Sequence, residues 1–137
     1  LIEKVGKNMG NENKRMGIHF NFAPVLDINT NPKNPIIGNR SFGEDKTNVS
    51  NKAIAYMKGV QGQGIFSTGK HFPGHGDTAA DSHHTLPLLD FSLERIDLVE
   101  LYPYKRIFDE GLVSVMVGHL EIPSLDPRKN LPSSFLT

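Results

Sequence analysis

Histidine residues are concentrated in one short stretch of this sequence. Four of the six histidines lie in residues 70–84, which read KHFPGHGDTAADSHH. The proline and the two glycines of this stretch predict a tightly turning loop rather than a helix. Asp81 and His83 are two residues apart, so in extended backbone their side chains point to the same side. A carboxylate that orients an imidazole suits general acid/base chemistry near neutral pH, which makes this pair one candidate site.

The same stretch also offers ligands for a metal ion. Imidazole and carboxylate groups suit zinc or manganese, and they are supplied by His71, His75, Asp77, Asp81, His83 and His84. The H-E-x-x-H spacing of helical zinc sites is absent, and Pro73 between His71 and His75 disfavours a helical pair. A metal-dependent hydrolase is therefore a second hypothesis for this stretch.

Residues 64–70 fit part of the phosphate-binding pattern G-x-x-x-x-G-K. The next position should supply a magnesium-binding hydroxyl, but it is His71, and the four intervening residues have the pattern of a strand. We therefore exclude a nucleotide-phosphate loop at this position.

A second polar segment, residues 29–45, carries a single arginine in a backbone rich in proline and glycine. Arg40 can donate a fork of hydrogen bonds to ligand hydroxyl, carbonyl or carboxylate groups. His119, which follows the third strand-like run, either reaches the same site or is a buried, hydrogen-bonded histidine behind it.

Three strand-like runs, centred near residues 20, 67 and 115, precede the polar segments. They cover residues 18–22, 65–68 and 112–117, and helical patterns lie between them. Strands that alternate with helices predict an α/β fold with a parallel sheet. The polar segments 29–45, 70–90 and 119–129 follow the carboxyl ends of these strands, where such folds place their active sites. The sequence therefore predicts the site in those loops.

The helix boundaries are indicated by capping residues and by apolar spacing. Val49, Ala53, Tyr56, Met57 and Val60 mark one face of a helix that Asp45 can cap and that Gly62 and Gly64 can end.

Ser92 can cap a further helix, and Pro103 either ends that helix or opens another. At the start of the chain, Leu1, Val5 and Met9 fall on one helical face.

The composition excludes several functional classes. Fifteen basic and fifteen acidic residues leave no net charge, so there is no electrostatic case for nucleic acid binding. The apolar runs are too short for a membrane-spanning helix. With no cysteine, the chain has no disulfide, thiol nucleophile or cysteine-ligated metal. The compartment, cytoplasmic or exported to the cell envelope, and the oligomeric state stay open.

Several motifs resemble glycoside hydrolase family 3, in its β-N-acetylglucosaminidase (β-N-acetylhexosaminidase) branch. The resemblance is carried by residues 70–78, by Asp81-Ser82-His83 and by Leu86-Pro87. Residues 21–27, 40–43, 101–104 and 116–119 support it. It implies part of a (β/α)8 TIM-type barrel, about three consecutive βα units, with no metal or organic cofactor. It also implies retaining hydrolysis of terminal β-linked N-acetylglucosamine in cell-wall (muropeptide) or chitin-type saccharides, and hence a role in peptidoglycan recycling or other carbohydrate metabolism.

The resemblance also assigns residue roles. His83 would be the acid/base and Asp81 its orienting partner, and Arg40, Lys70 and His71 would hold the sugar. His75, Asp77 and Thr78 would shape the loop. A non-catalytic carbohydrate-binding barrel remnant is a third hypothesis.

We expect residues 1–137 to be a partial N-terminal barrel domain, truncated at both ends. The chain opens in the middle of a helical pattern and stops where residues 133–136 favour a helix start. The nucleophilic aspartate of the family would lie beyond residue 137, so we expect this chain alone to be inactive and the full-length parent to be the enzyme.

Overall fold

The computed structural model describes residues 1–78, 86–128 and 132, and in them helices alternate with strands. The elements are α1 (Ile2–Arg15), β1 (Phe20–Asn21), α2 (Lys46–Gln61), β2 (Phe66–Phe72), α3 (Leu93–Leu98), α4 (Tyr102–Asp109) and β3 (Ser114–Val117). A single 3₁₀ turn, Gly38–Arg40, lies between β1 and α2. The predicted alternation of strands and helices is confirmed.

The three strands form a parallel sheet in the order β1-β2-β3. Phe20 pairs with Phe66, and Thr68 pairs with Ser114. Helix α2 connects β1 to β2, while α3 and α4 lie between β2 and β3. These are the parallel crossover connections that the sequence predicts.

The predicted strand bounds are wrong at one end or more of all three strands, and β3 begins at Ser114 rather than at residue 112. β1 is shorter than the predicted run, whereas β2 continues past its predicted end through Phe72. The extension has a partner on each side: Lys70 pairs with Met116 on β3 and bridges to Val25 on the other side. Lys70 and His71 therefore lie on the end of a strand rather than in the following loop.

The capping residues predicted from the sequence are confirmed. The carboxylate of Asp45 accepts from the main-chain N–H of Asn48 at 2.7 Å, and α2 ends at Gln61. Ser92 accepts from the N–H of Arg95 at 3.2 Å at the start of α3. Pro103 lies in the first turn of α4, where its missing N–H costs nothing, so it opens a second helix.

Helix α1 packs on α2 through glycines and not through the predicted apolar face. Val5 and Met9 are 49% and 42% exposed, while Gly6 and Gly10 are buried. A Cβ atom on Gly6 would lie 2.2 Å from the carbonyl oxygen of Tyr56, so the two backbones are in contact there. The apolar spacing predicts the helix correctly, but the face that packs is decided by this close approach.

The apolar core lies between the sheet and the helices. One cluster joins Leu26 to α2 and α4 and consists of Leu26, Ala53, Ile54, Met57, Tyr104 and Ile107. A second cluster, Leu89, Ile96, Leu120 and Ile122, lies beside the segment that leads into α3. None of the helices in the described ranges is long and apolar enough to cross a membrane.

Candidate active site

One cavity of about 390 Å³ is lined by Arg40, Lys70 and His71, the three residues for which the family resemblance implies sugar binding. The cavity lies at the carboxyl ends of the strands, as predicted. Its remaining lining residues come from all three polar segments and from the end of β3: Ile36, His75, Met116, Val117, Gly118 and His119. His119 is exposed and lines the cavity, so it is not the buried histidine of the alternative interpretation.

A larger depression, about 470 Å³, shares no lining residue with this cavity. Its lining belongs to the C-terminal half of α1 and consists of Asn8, Asn11, Glu12, Lys14 and Arg15. Space between side chains of a single helix lacks the converging polar groups of a binding site. The cavity at the strand ends is therefore the candidate active site.

His71 is held by a buried carboxylate that the sequence analysis did not select. The side chain of Asp27 is fully buried, and its Oδ2 lies 2.7 Å from Nδ1 of His71. The main-chain N–H of His75 donates to Oδ1 of Asp27 at 2.7 Å, and the N–H of His71 contacts both oxygens at 3.2 and 3.3 Å. Asp27 directly follows the segment that pairs with Lys70. Its position at the carboxyl end of a parallel strand, where such folds place functional residues, is the feature of the sequence that could have identified it.

Lys70 and Arg40 place two cations at the same cavity. Burial lowers the pKa of the Lys70 ammonium, and the Arg40 guanidinium lowers it further, while the Asp27 carboxylate opposes both effects. Such a site favours a ligand rich in oxygen acceptors.

An asparagine side chain ties the segment that carries Arg40, residues 29–45, to the histidine loop. The histidine loop is the part of residues 70–84 that follows β2. Asn34 is 7% exposed, and its amide donates to the carbonyl oxygens of His75 at 2.8 Å and Gly76 at 3.2 Å. Its side-chain oxygen accepts from the main-chain N–H groups of Ile36 and Ile37, both at 2.9 Å. This one side chain therefore joins two of the segments that line the cavity.

Gly76 allows the histidine loop to lie directly on the segment after β1. A Cβ atom at this position would be 1.8 Å from the carbonyl oxygen of Ile28. Asn31 adds a hydrogen bond of 3.2 Å to the carbonyl of Asp77 across the same contact. Only a residue without a side chain fits there.

A partly buried ion pair holds the other side of the histidine loop. Arg95 donates to both oxygens of Glu100 at 2.7 and 2.9 Å, and its Nη2 lies 3.4 Å from Oδ2 of Asp77. Burial raises the pKa of the Glu100 carboxyl, and Arg95 opposes that effect. Thr78 bonds back to His75 through its hydroxyl. The contact between Asp77 and Arg95 joins the histidine loop to α3, and the bonds between Thr78 and His75 lie within the loop.

Asp81 and His83 lie outside the described residues, so the acid/base assignment stays a prediction. His84 lies outside them as well. Within residues 1–78, 86–128 and 132, no group of three or more histidine or acidic side chains is arranged to hold a metal ion.

Known proteins match this chain along almost its whole length. The family described as "Glycosyl hydrolase family 3 N terminal domain" matches residues 1–136. Beta-hexosaminidase A of Pseudoalteromonas piscicida is 41% identical over 127 residues, which cover 92% of this chain and 21% of that protein.

Two solved structures have the same fold over this region. A glycoside hydrolase family 3 beta-N-acetylglucosaminidase from Paenibacillus sp. str. FPU-7 superposes with a TM-score of 0.92 at 43% identity, covering 96% of this chain and 25% of that chain. NagZ from Neisseria gonorrhoeae, in complex with N-trifluoroacetyl-D-glucosamine, superposes with a TM-score of 0.85 at 38% identity, covering 91% of this chain and 37% of that chain. The chain thus spans well under half of each relative.

The match to residues 1–136 and the superpositions agree with the parallel sheet and the crossover helices. The predicted α/β fold, part of a TIM-type barrel, is confirmed. The chain therefore belongs to glycosyl hydrolase family 3, and its residues 1–136 match the N-terminal domain of that family.

Proposed function

We propose that the full-length protein containing this chain is a retaining β-N-acetylhexosaminidase. It removes terminal β-linked N-acetylglucosamine from cell-wall or chitin-type saccharides. In this proposal residues 1–137 are part of a larger N-terminal barrel domain. The observation that carries it is the convergence of Arg40, Lys70 and His71 on one cavity at the strand ends.

The cavity suits a neutral monosaccharide unit. Its volume of about 390 Å³ is within the range of small-molecule sites, roughly 300–1,000 Å³. The guanidinium of Arg40 and the ammonium of Lys70 donate to hydroxyl and carbonyl oxygens of the sugar, and His71 adds a ring nitrogen. The sugar analogue held by the gonococcal relative supports this class of ligand.

The proposed reaction has two displacement steps. A nucleophilic aspartate outside this chain attacks the anomeric carbon, the bond to the leaving oxygen breaks, and His83 gives that oxygen a proton. A water molecule then attacks the same carbon, His83 takes its proton, and the aspartate is released. Asp81 orients the imidazole throughout and favours its protonated form. On this proposal we expect no turnover from residues 1–137 alone.

The acid/base assignment is tested by two neighbouring histidines in the full-length protein. We expect His83→Gln to reduce kcat for an aryl β-N-acetylglucosaminide by at least about a hundredfold. A substrate whose aryl group leaves without protonation should recover most of the rate that the variant loses in the first step, the attack by the aspartate. The matched control, His84→Gln, should retain activity. Equal losses for the two variants would refute the assignment.

The product and the metal requirement separate the remaining hypotheses. NMR spectra of the first product should show the β-anomer, and an α-anomer would refute a retaining mechanism. Activity that survives EDTA supports the proposal, whereas loss that zinc restores indicates the metal-dependent hydrolase. Binding of N-acetylglucosamine without turnover by the full-length protein indicates a carbohydrate-binding remnant. Comparing muropeptides with chitin oligosaccharides identifies the preferred substrate.

A further inference from the structure

Asp27 is a fully buried carboxylate directly behind the cavity wall. It comes from the segment after β1, whereas its partners His71 and His75 come from the end of β2 and the loop beyond, 44 and 48 residues away. Two main-chain N–H groups and one ring nitrogen converge on its two oxygens. Burying a carboxylate is costly, and these bonds offset that cost.

We propose that Asp27 is a positioning residue that fixes the tautomer and direction of His71. Its carboxylate accepts from Nδ1–H of the ring, so that Nε2 faces the cavity and accepts from a sugar hydroxyl whenever the imidazole is neutral. This inference rests on the proposed function and deepens it, because it adds a second aspartate–histidine pair to the expected pair of Asp81 and His83.

The direction of the ring bond follows from the other bonds of Asp27. Its oxygens already accept from the main-chain N–H groups of His71 and His75, and an ionised carboxylate has no proton to donate. Nδ1 of His71, 2.7 Å from Oδ2, must then be the donor. In the neutral ring this leaves the lone pair on Nε2.

The other ring nitrogen is free to meet a ligand. The His71 side chain is 17% exposed and lines the cavity. No hydrogen bond joins Nε2 of His71 to any residue in the described ranges. Because Asp27 already holds the His71 ring in one orientation, less conformational entropy is lost when a sugar hydroxyl binds to it.

Asp27→Asn separates this role from simple support of the loop. The amide oxygen can take the place of Oδ1 and keep the bonds from the N–H groups of His71 and His75. The amide nitrogen then takes the place of Oδ2 and donates to Nδ1 of His71. The ring is forced into the Nε2–H tautomer, and an acceptor in the cavity becomes a donor.

The first readout is kinetic and uses the full-length enzyme. We expect Asp27→Asn to lower kcat/KM about ten- to a hundredfold, as the loss of one strong hydrogen bond would. Because Asp27 acts through His71, the change should have no further effect in a His71→Ala background. Asp126→Asn makes the same isosteric change at another buried aspartate, which bonds Arg128 and lines no part of the cavity, and should retain activity. Losses that add fully in the double variant would refute the proposal.

The second readout is independent of activity. In protein labelled with ¹⁵N-histidine, the signals of His71 are identified by their absence from His71→Ala. The wild-type ring should be the Nδ1–H tautomer and the Asp27→Asn ring the Nε2–H tautomer. An Nε2–H ring in the wild type, or no change in the variant, would overturn the inference. If the tautomers are as expected but the wild type hydrolyses no N-acetylglucosaminide, the proposed function fails while the fixed orientation of His71 stands.

Discussion

Asn34→Ala tests how the cavity is assembled, because Asn34 joins two of the segments that line it. The substitution removes two bonds donated to His75 and Gly76 and two bonds accepted from Ile36 and Ile37. A typical hydrogen bond contributes about 0.5–1.5 kcal/mol net, and a buried partner left unsatisfied costs about 1–3 kcal/mol. With water able to reach some of the freed groups, we expect a loss of about 3 kcal/mol in the free energy of unfolding.

The same substitution should weaken substrate binding, because hydrogen bonds of a single residue, Ile36, connect Asn34 to Arg40. The main-chain N–H of Ile36 donates to the side-chain oxygen of Asn34, and the carbonyl oxygen of Ile36 accepts from Nη1 of Arg40 at 3.2 Å. Releasing Ile36 displaces the guanidinium from the cavity, so kcat/KM should fall about tenfold.

Urea unfolding and steady-state kinetics of the full-length protein measure both effects. Asn34→Asp keeps the two accepted bonds but turns a carboxylate oxygen toward two carbonyls, so it should be at least as unstable as Asn34→Ala. Asn39→Ala is the matched control, since Asn39 is exposed and its side chain bonds to none of the described residues; its effect should stay within about 0.5 kcal/mol. The reasoning fails if Asn34→Ala loses less than about 1 kcal/mol and retains its kcat/KM.

Three further substitutions test a close backbone contact at the site, a buried hydroxyl group and a helix cap. Gly76→Ala should lower the free energy of unfolding by at least about 2 kcal/mol, because its Cβ would overlap the carbonyl oxygen of Ile28; an unchanged denaturation midpoint would contradict this. Tyr104→Phe should leave stability unchanged or raise it by up to about 1 kcal/mol, since the buried hydroxyl has no hydrogen-bond partner among the described residues; a clear loss in calorimetry would reveal such a partner. Asp45→Ala should cost about 1 kcal/mol by removing the cap of α2, and Asp45→Asn should restore the loss; equal melting temperatures for all three forms would show that the cap contributes nothing.

The sequence by itself predicts the local elements of this protein well. Asp45 and Ser92 cap their helices as expected, and Pro103 opens α4. These features depend on contacts within about one helical turn, which the order of residues already determines. The polar segments after the strands also predict the side of the sheet that carries the cavity, because parallel strands bring their carboxyl ends together.

The candidate site is predictable only in part. The family motifs select Arg40, Lys70 and His71, and the structure brings these three residues to one cavity. The residues alone leave a metal site open beside a sugar site, because the same histidine and carboxylate side chains serve both chemistries. The assignment to a glycosidase family comes from the match along residues 1–136.

The tertiary structure decides what depends on residues distant in the chain. The end of β2 is a strand because Val25 and Met116 pair with Lys70 from either side, and Gly6 is buried because α1 meets the backbone of α2. Asp27 contacts His71 across 44 residues. Periodicity and capping describe a few neighbouring residues, whereas a buried carboxylate finds its partners only after the parallel strands have paired.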